Sequence, residues 1–503
     1  MTERRGLLFV NPTITKRKSA RFPLAVLALA SSLEDSYDTH IVDGNVDRDF
    51  ITACLRKIAE TRIDAVGITV MGGPSLPTAI AVSKAIRQRH PSLPIVWGGY
   101  YPTICPTPSI TAPYVDFVVR GQGEETLAQL LTALFNDERK QFATIAGLTW
   151  QCDGQIVHNK DRAFSPARLA HRLPYERLDN PAQYLTPTYL GRRTAGYQAA
   201  FGCRFRCTFC GVAAMFKGKT ALPADLRLAE DLDYLQRLGA DAIQFYDHNF
   251  FDREVDMLPL LDVLARFQLP WWCFARADAM LNMSERSWEL VRKSRLSMAY
   301  IGAESPSDAL LHDFRKGTRS NQTLEVVKLC RSQGVIPELS FMLAPPEDPE
   351  GETEKTFEFI RQIKRLHAAT EIMIYIYTPL PPSAHNLNVK VPRSAFQLRD
   401  VQGRPVVFPT TADEWAQPQW VEYWSHNNAP WLSERLRQRI LDFTTVLGCR
   451  FPTVTDIRSP RWAKFALRAA ASWRYRFQRY DRPWELSASK KVVKLWDPRV
   501  TSL

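Results

Sequence analysis

Three cysteines stand close together in the run Phe201-Gly202-Cys203-Arg204-Phe205-Arg206-Cys207-Thr208-Phe209-Cys210-Gly211. Iron–sulfur clusters are held by cysteine thiolates, usually four for a cubane. A CxxxCxxC loop with no fourth cysteine nearby offers three, which leaves one iron with an open coordination position. Such a position lets a metal centre bind a substrate as well as pass electrons. The amino and carboxylate groups of S-adenosylmethionine can chelate it, which brings the sulfonium near the cluster to accept an electron and release a carbon radical. Zinc is the main rival, but a closed zinc site wants four ligands, commonly in two CxxC-like pairs. No second pair exists, and the nearest following histidine is His248. Coincidence fits poorly, because the cysteines directly follow an expected strand, Tyr197–Phe201. The remaining six, Cys54, Cys105, Cys152, Cys273, Cys330 and Cys449, are scattered singly, as in a reducing compartment.

The elements around the loop form two βα series. From Gly6 to about Phe135, short apolar runs alternate with helical stretches: Leu7–Val10, Pro23–Leu33, His40–Asp43, Phe50–Glu60, Ala65–Met71, Ser75–Arg89, Pro94–Trp97 and Phe117–Arg120, with a helix from Glu124 on. Continuously apolar strands alternating with helices describe a doubly wound, Rossmann-like parallel sheet. Its strands end in Gly72-Gly73-Pro74, Gly98-Gly99-Tyr100 and Gly121-Gln122-Gly123, where ligands of such sheets sit. The bland reading is tight turns; none of them makes a dinucleotide fingerprint after the first strand. Residues 141–190 read as a connector, with a hairpin over Ile145–Trp150 and Ile156–His158.

The second series begins near Gly196. After Tyr197–Phe201 come a helix over Pro223–Leu238 and strands at Ala242–Asp247, Trp271–Arg276, Ser297–Glu304, Pro337–Leu343 and Glu371–Leu380. Helices at Ser284–Lys293, Ser320–Gln333 and Glu352–Arg365 separate them. Six strands, each but the last followed by a helix, make a parallel sheet curled into part of a barrel. The expected division is therefore 1–140, 141–190, 191–395 and a mainly helical accessory region 396–503.

Composition sets the outer bounds. At 503 residues, with 45% hydrophobic and 23% charged, the chain reads as a multidomain globular protein. It has no run of the roughly 20 apolar residues a membrane span needs and no separate signal-peptide core, so a cytoplasmic location is expected. The formal charge of +12 invites a nucleic-acid reading. Much of the excess lies in the last fifty residues, which argues against that as the main function. There, Trp462–Tyr480 reads as a basic aromatic helix. It could lie on an anionic membrane surface, although such helices more often turn their aromatic face onto their own protein.

The cysteine loop and the strands beyond it resemble the radical S-adenosylmethionine superfamily over about residues 195 to 385. Phe209 matches the aromatic that contacts the adenine side. Gln244-Phe245-Tyr246-Asp247-His248-Asn249-Phe250 is similar to the acidic Asp-x-Asn-Phe element, and Trp272-Cys273-Phe274-Ala275-Arg276 to the arginine-ended strand. Ile301-Gly302-Ala303-Glu304-Ser305 is similar to the "GxES" element. Thr378-Pro379-Leu380-Pro381-Pro382-Ser383 resembles the proline-rich end of the sixth strand. The resemblance implies a [4Fe–4S] cluster on Cys203, Cys207 and Cys210, with S-adenosylmethionine contacted by Phe209, Asp247, Arg276, Gly302, Glu304, Ser305 and Pro379. Taken singly, Glu304 would more often be a strand-end salt bridge and Asp247 a helix cap. One departure lies at Leu343-Ala344-Pro345-Pro346, where the family usually has a glycine before the proline; Gly351-Glu352-Thr353 still matches a "GET" helix start, which suggests a short insertion.

The preceding domain resembles the cobalamin-binding branch of the superfamily. Phe117-Val118-Val119-Arg120-Gly121-Gln122-Gly123-Glu124-Glu125 is similar to its "VRGEGE" run, and Ile95–Gly99 to its "GG" strand end. Relatives include cobalamin-dependent methyltransferases and anaerobic magnesium-protoporphyrin monomethyl ester cyclases. The resemblance implies cobalamin at Gly72, Gly73, Ser75, Gly98, Gly99, Tyr100, Gly121 and Gly123. The DxHxxG histidine that ligates cobalt elsewhere is absent; His40 falls inside a strand. The implied reaction is methylation of an unactivated carbon of a small molecule, lipid or tetrapyrrole, fed by an electron donor such as flavodoxin or ferredoxin. Ring closure or rearrangement with the same cofactors is the alternative. RNA modification, suggested by the basic tail, is a further one.

Overall fold

The structure, a computed structural model, describes residues 4–166, 172–222, 225–381, 397–452, 454 and 461–488. Its first sheet has seven strands: β1 (Gly6–Asn11), β2 (Asp38–Asp43), β3 (Ala65–Thr69), β4 (Ile95–Gly98), β5 (Phe117–Val119), β6 (Leu148–Cys152) and β7 (Gln155–His158). They lie in the order β2-β1-β3-β4-β5-β6-β7. The first five are parallel, joined by helices that include Leu24–Leu33, Phe50–Glu60, Ser75–Arg89 and Glu124–Phe135. Successive residues of β1 feed opposite faces: Leu8 and Val10 enter one core, Leu7 and Phe9 the other. Burial on both faces is why these strands read as unbroken apolar runs rather than alternating ones.

The hairpin expected within the connector is present as β6 and β7, and it belongs to the first sheet. β6 runs antiparallel to β5, with Val118 opposite Thr149. A two-stranded hairpin is barely stable alone, so it docks on the open edge.

The second sheet contains β8 (Thr194–Tyr197), β11 (Ala242–Phe245), β12 (Trp271–Ala275), β13 (Leu296–Glu304), β14 (Ile336–Leu343) and β15 (Glu371–Ile376). All six are parallel, in the order β15-β14-β13-β12-β11-β8. Between β8 and β11, the short antiparallel pair β9 (Phe201–Gly202) and β10 (Thr220–Ala221) brackets the cysteine loop. The strand expected over Tyr197–Phe201 thus ends at Tyr197. Its continuation is diverted because the amides of Ala199 and Ala200 donate to the Asp247 carboxylate instead of to a neighbouring strand.

The C-terminal region is helical: Ala412–Trp415, Pro418–Trp424, Glu434–Arg450 and Arg461–Arg476. Two of its tryptophans pack back onto the rest of the chain. Trp424 meets both Tyr100 and Tyr101 edge-on at 5.7 Å, and Trp431 donates to the Ala344 carbonyl at 2.9 Å. Pro382 and Ser383, at the end of the proline-rich run, lie outside the described residues. No helix among the described residues is long and apolar enough to cross a membrane.

Candidate active site

The cysteine loop is tied down from several sides. The Thr208 amide donates to the Phe314 carbonyl at 3.0 Å, and the Phe209 ring meets Phe314 edge-on at 5.5 Å. Arg276 sits with its guanidinium 3.5 Å from the ring centroid of Phe205, which lies between Cys203 and Cys207 in the chain. The same guanidinium pairs with Asp278 at 2.9 Å and donates to the Lys316 carbonyl at 2.6 Å. Arg204 pairs with Asp252 at 3.0 Å on the outer side. Cys207 is buried, whereas Cys203 and Cys210 are partly exposed. Burial raises the Cys203 thiol above its usual range and pushes Cys210 up to about 12.

The donor set suits the cluster that the spacing suggests. Three thiols are confined to one loop, and desolvation of Cys203 and Cys210 leaves their charged forms in need of a cation. Among the described residues no three His, Cys, Asp or Glu side chains gather closely enough for a single metal ion.

Beside the loop lies a buried ion pair. Lys316 Nζ and Glu304 Oε1 are 2.7 Å apart, each side chain 8% exposed. Burial works against the lysine's charge, but Glu304 keeps the ammonium above its ordinary range. Glu304 adopts φ 61°, a left-handed conformation that non-glycine residues rarely take. Gly302 leaves the space the pair needs, since a side chain there would overlap both Glu304 Oε1 and Lys316 Nζ. Ser305 caps the next turn by accepting from the Ser307 amide at 3.0 Å. Asp247 is fully buried under the loop; burial raises its carboxyl to about 7 despite the two amides it accepts. The Pro379 carbonyl accepts from Tyr423 Oη at 2.6 Å.

At Ala344 the chain adopts φ 55°, the conformation a glycine would take without strain. The alanine is held there by its amide donating to Thr353 Oγ1 at 3.2 Å and by Trp431 on its carbonyl.

A cavity of ≈ 480 Å³ opens where the two sheets face each other. One wall is the carboxyl edge of β3, β4 and β5, with Gly98, Gly99, Tyr100, Gly121 and Gly123. The opposite wall is Val212, Met215 and Phe216, from the helix that directly follows Cys210, together with Phe201 and His248. Added Cβ atoms at Gly98 and Gly121 would meet nothing nearer than 3.6 and 3.8 Å, so bare backbone faces the space. The buried Nδ1 of His248 has no hydrogen-bond partner there, and burial lowers its imidazole to about 4. A broad apolar wall with exposed backbone and a few convergent polar groups, among them Gln122, Gln198 and Arg227, suits a large, mainly apolar ring carrying amide arms. Cobalamin has that chemistry.

Gly72, Gly73 and Ser75 do not line the cavity. Gly72, at φ 89°, lies under Trp424, whose ring is 3.1 Å from where its side chain would begin. Ser75 Oγ closes the turn, accepting from the Met71 amide at 3.0 Å and donating to the Gly72 carbonyl at 3.1 Å. Met71 is the part of this loop that reaches the cavity. Sequence reasoning missed Lys316, Phe205, His248 and the helix Gly211–Phe216. Only the last carried a signal, its apolar residues directly after the third cysteine.

Comparison with known proteins agrees with this layout. The B12 binding domain matches residues 11–131, and the Radical SAM superfamily matches residues 197–360. The chain is 24% identical over 378 residues to an uncharacterised methyltransferase of Pyrococcus horikoshii, covering 71% of this chain and 76% of the relative. It is 22% identical over 365 residues to the anaerobic magnesium-protoporphyrin IX monomethyl ester cyclase of a Synechocystis strain, covering 71% of this chain and 70% of the relative. Among solved structures it shares its fold with the radical S-adenosylmethionine methyltransferase TsrM of Kitasatospora setae, solved with cobalamin and a [4Fe–4S] cluster. That match has a TM-score of 0.63 at 16% identity and covers 95% of this chain and 100% of the other. The chain is thus an enzyme that carries a B12 binding domain over residues 11–131 ahead of a radical SAM domain over residues 197–360.

Proposed function

We propose that the enzyme is a cobalamin-dependent methyltransferase acting on an unactivated carbon of a small molecule, lipid or tetrapyrrole. The observation that carries this reading is the shared cavity, with β4 and β5 on one side and the helix after Cys210 on the other. When bound, a [4Fe–4S] cluster with S-adenosylmethionine supplies a hydrogen-abstracting carbon radical, and cobalamin supplies a transferable methyl group. The chain's own residues hold and separate these groups. Cys203, Cys207 and Cys210 would ligate the cluster. Phe209, Arg276, Gly302, Glu304, Ser305 and Pro379 would contact S-adenosylmethionine, with Asp247 fixing the backbone that leads into the loop. Gly98 and Gly121 would let backbone approach the corrin, with Gly99 and Gly123 on the same edge, and Phe201, Met215 and Phe216 would keep water from the space between. A flavodoxin or ferredoxin would serve as electron donor. We assign the functional units as 1–140, 141–190, 191–395 and 396–503, the hairpin of the second completing the sheet of the first.

Anaerobic turnover with S-adenosylmethionine deuterated in its methyl group tests the reading. Label in the product is expected, and product without label would exclude methyl transfer. Similarity to the cyclase relatives favours a second reading, ring closure without methyl transfer, which that second outcome would support.

A further inference from the structure

We propose that the helix Arg461–Arg476 docks the protein on an anionic lipid bilayer. The inference goes beyond the reaction and stands on which face the helix turns outward. Its inner face rests on the helix Glu434–Arg450. There Ala471 is buried, Tyr475 lies edge-on to Phe451 at 5.0 Å, and Arg474 is ion-paired to Glu485. The opposite face presents Trp462, Phe465 and Trp473, which are 62%, 75% and 51% exposed. At 3.6 residues per turn these three fall on one side, and the exposed Ala466 and Ala469 between them keep the strip continuous. Phe477 and Trp484, 66% and 75% exposed, extend the aromatic surface beyond the helix. A contiguous apolar strip of this kind on the outside of a folded protein marks an interaction surface.

Charge selects the occupant. From residue 451 onward the chain has twelve Lys and Arg against four Asp and Glu, and the helix itself has no acidic residue. Arg468 and Arg476 are exposed beside the aromatic strip. Aromatic rings at the headgroup–acyl boundary, with arginines reaching phosphates, are the pattern of a helix lying in a bilayer interface. A second copy of the chain would set these arginines against each other with no carboxylate on the helix to offset them. RNA would be met by an apolar strip with its charge displaced to the side.

Vesicle flotation of the full-length protein tests this and needs neither cofactor nor turnover, so its outcome is independent of the proposed reaction. The protein should float with mixed phosphatidylglycerol–phosphatidylcholine vesicles and much less with pure phosphatidylcholine. The exposed triple Trp462→Ala/Phe465→Ala/Trp473→Ala should lose at least about tenfold in partitioning, and Arg468→Glu/Arg476→Glu more than about tenfold on anionic vesicles only. The proposal is overturned if the parent stays in solution, or if the triple floats as well as the parent. It is equally overturned if the strip instead supports a dimer, seen as a sedimentation mass that the triple halves, or salt-sensitive RNA binding that the triple abolishes.

Discussion

The ring of Tyr100, at the carboxyl edge of the first sheet, fills the space directly over the α-carbon of Gly211, the residue after the third cysteine of the loop. Any side chain at 211 would overlap its hydroxyl and ring edge. Tyr100 also lines the cavity and packs against Trp424. One aromatic residue thus sets the spacing between the B12 binding domain, the cysteine loop and the C-terminal region.

Gly211→Ala should therefore overpack this junction. We expect a loss of about 1–3 kcal/mol in stability, read as a lower urea midpoint. Removing the obstacle in Tyr100→Ala/Gly211→Ala should recover part of it, giving a coupling energy of about 1 kcal/mol or more in a double-mutant cycle. Strict additivity of the two single changes would rule this contact out.

The Lys316–Glu304 pair gives a second expectation. Lys316→Met strands a buried carboxylate, at a cost of about 3–5 kcal/mol, whereas Lys316→Met/Glu304→Gln should cost clearly less. Chemical unfolding of the two variants makes the comparison. If the double variant is the less stable, the pair is not what holds this corner.

The cysteine loop predicts composition as well as activity. Protein reconstituted anaerobically should hold about four iron and four sulfide per chain. Replacing Cys203, Cys207 and Cys210 together by alanine should bring both to background in iron and sulfide assays. Retention of iron in that variant would move the cluster elsewhere.

His248 predicts a pH dependence with a definite sign. Burial lowers its imidazole from 6.5 to about 4. Below pH 6.5 the unfolded chain therefore binds a proton that the folded one refuses, and stability falls as pH falls. Between pH 7 and 5 this one group should cost up to about 2 kcal/mol. Unfolding midpoints of the parent and His248→Gln, measured at both pH values, should show a smaller acid loss in the variant. An equal loss would mean the ring is solvated.

Chemistry carried by contiguous residues was legible in the sequence. The CxxxCxxC spacing is local, and so are the apolar strand runs, because a strand buried on both faces needs no partner to declare itself. The helices Phe50–Glu60 and Ser75–Arg89 have the bounds their periodicity predicts. Gly302 and Glu304 stand at the end of β13 as expected, but their partner did not. Lys316 lies twelve residues on, and only the return of the chain after β13 brings its ammonium to the carboxylate.

What the tertiary structure decided is which surfaces face each other. Gly72 and Gly98 both follow or end parallel strands with similar signatures, yet Trp424 covers the first while the second opens on the cavity. His248 reads as the variable position of a motif until packing sets its ring against Phe216 at 5.1 Å, at the cavity wall, and buries its Nδ1 without a partner. The basic C-terminal helix has aromatic residues on several faces, so its periodicity could not say which face was inward. Packing on Glu434–Arg450 chose the face of Ala471 and Tyr475, and left Trp462, Phe465 and Trp473 to the outside. The sequence by itself determined the cluster loop and the two βα domains, because spacing and periodicity are local. The shared cavity and the outward aromatic strip required the fold, because both are relations between segments that only long-range packing brings together.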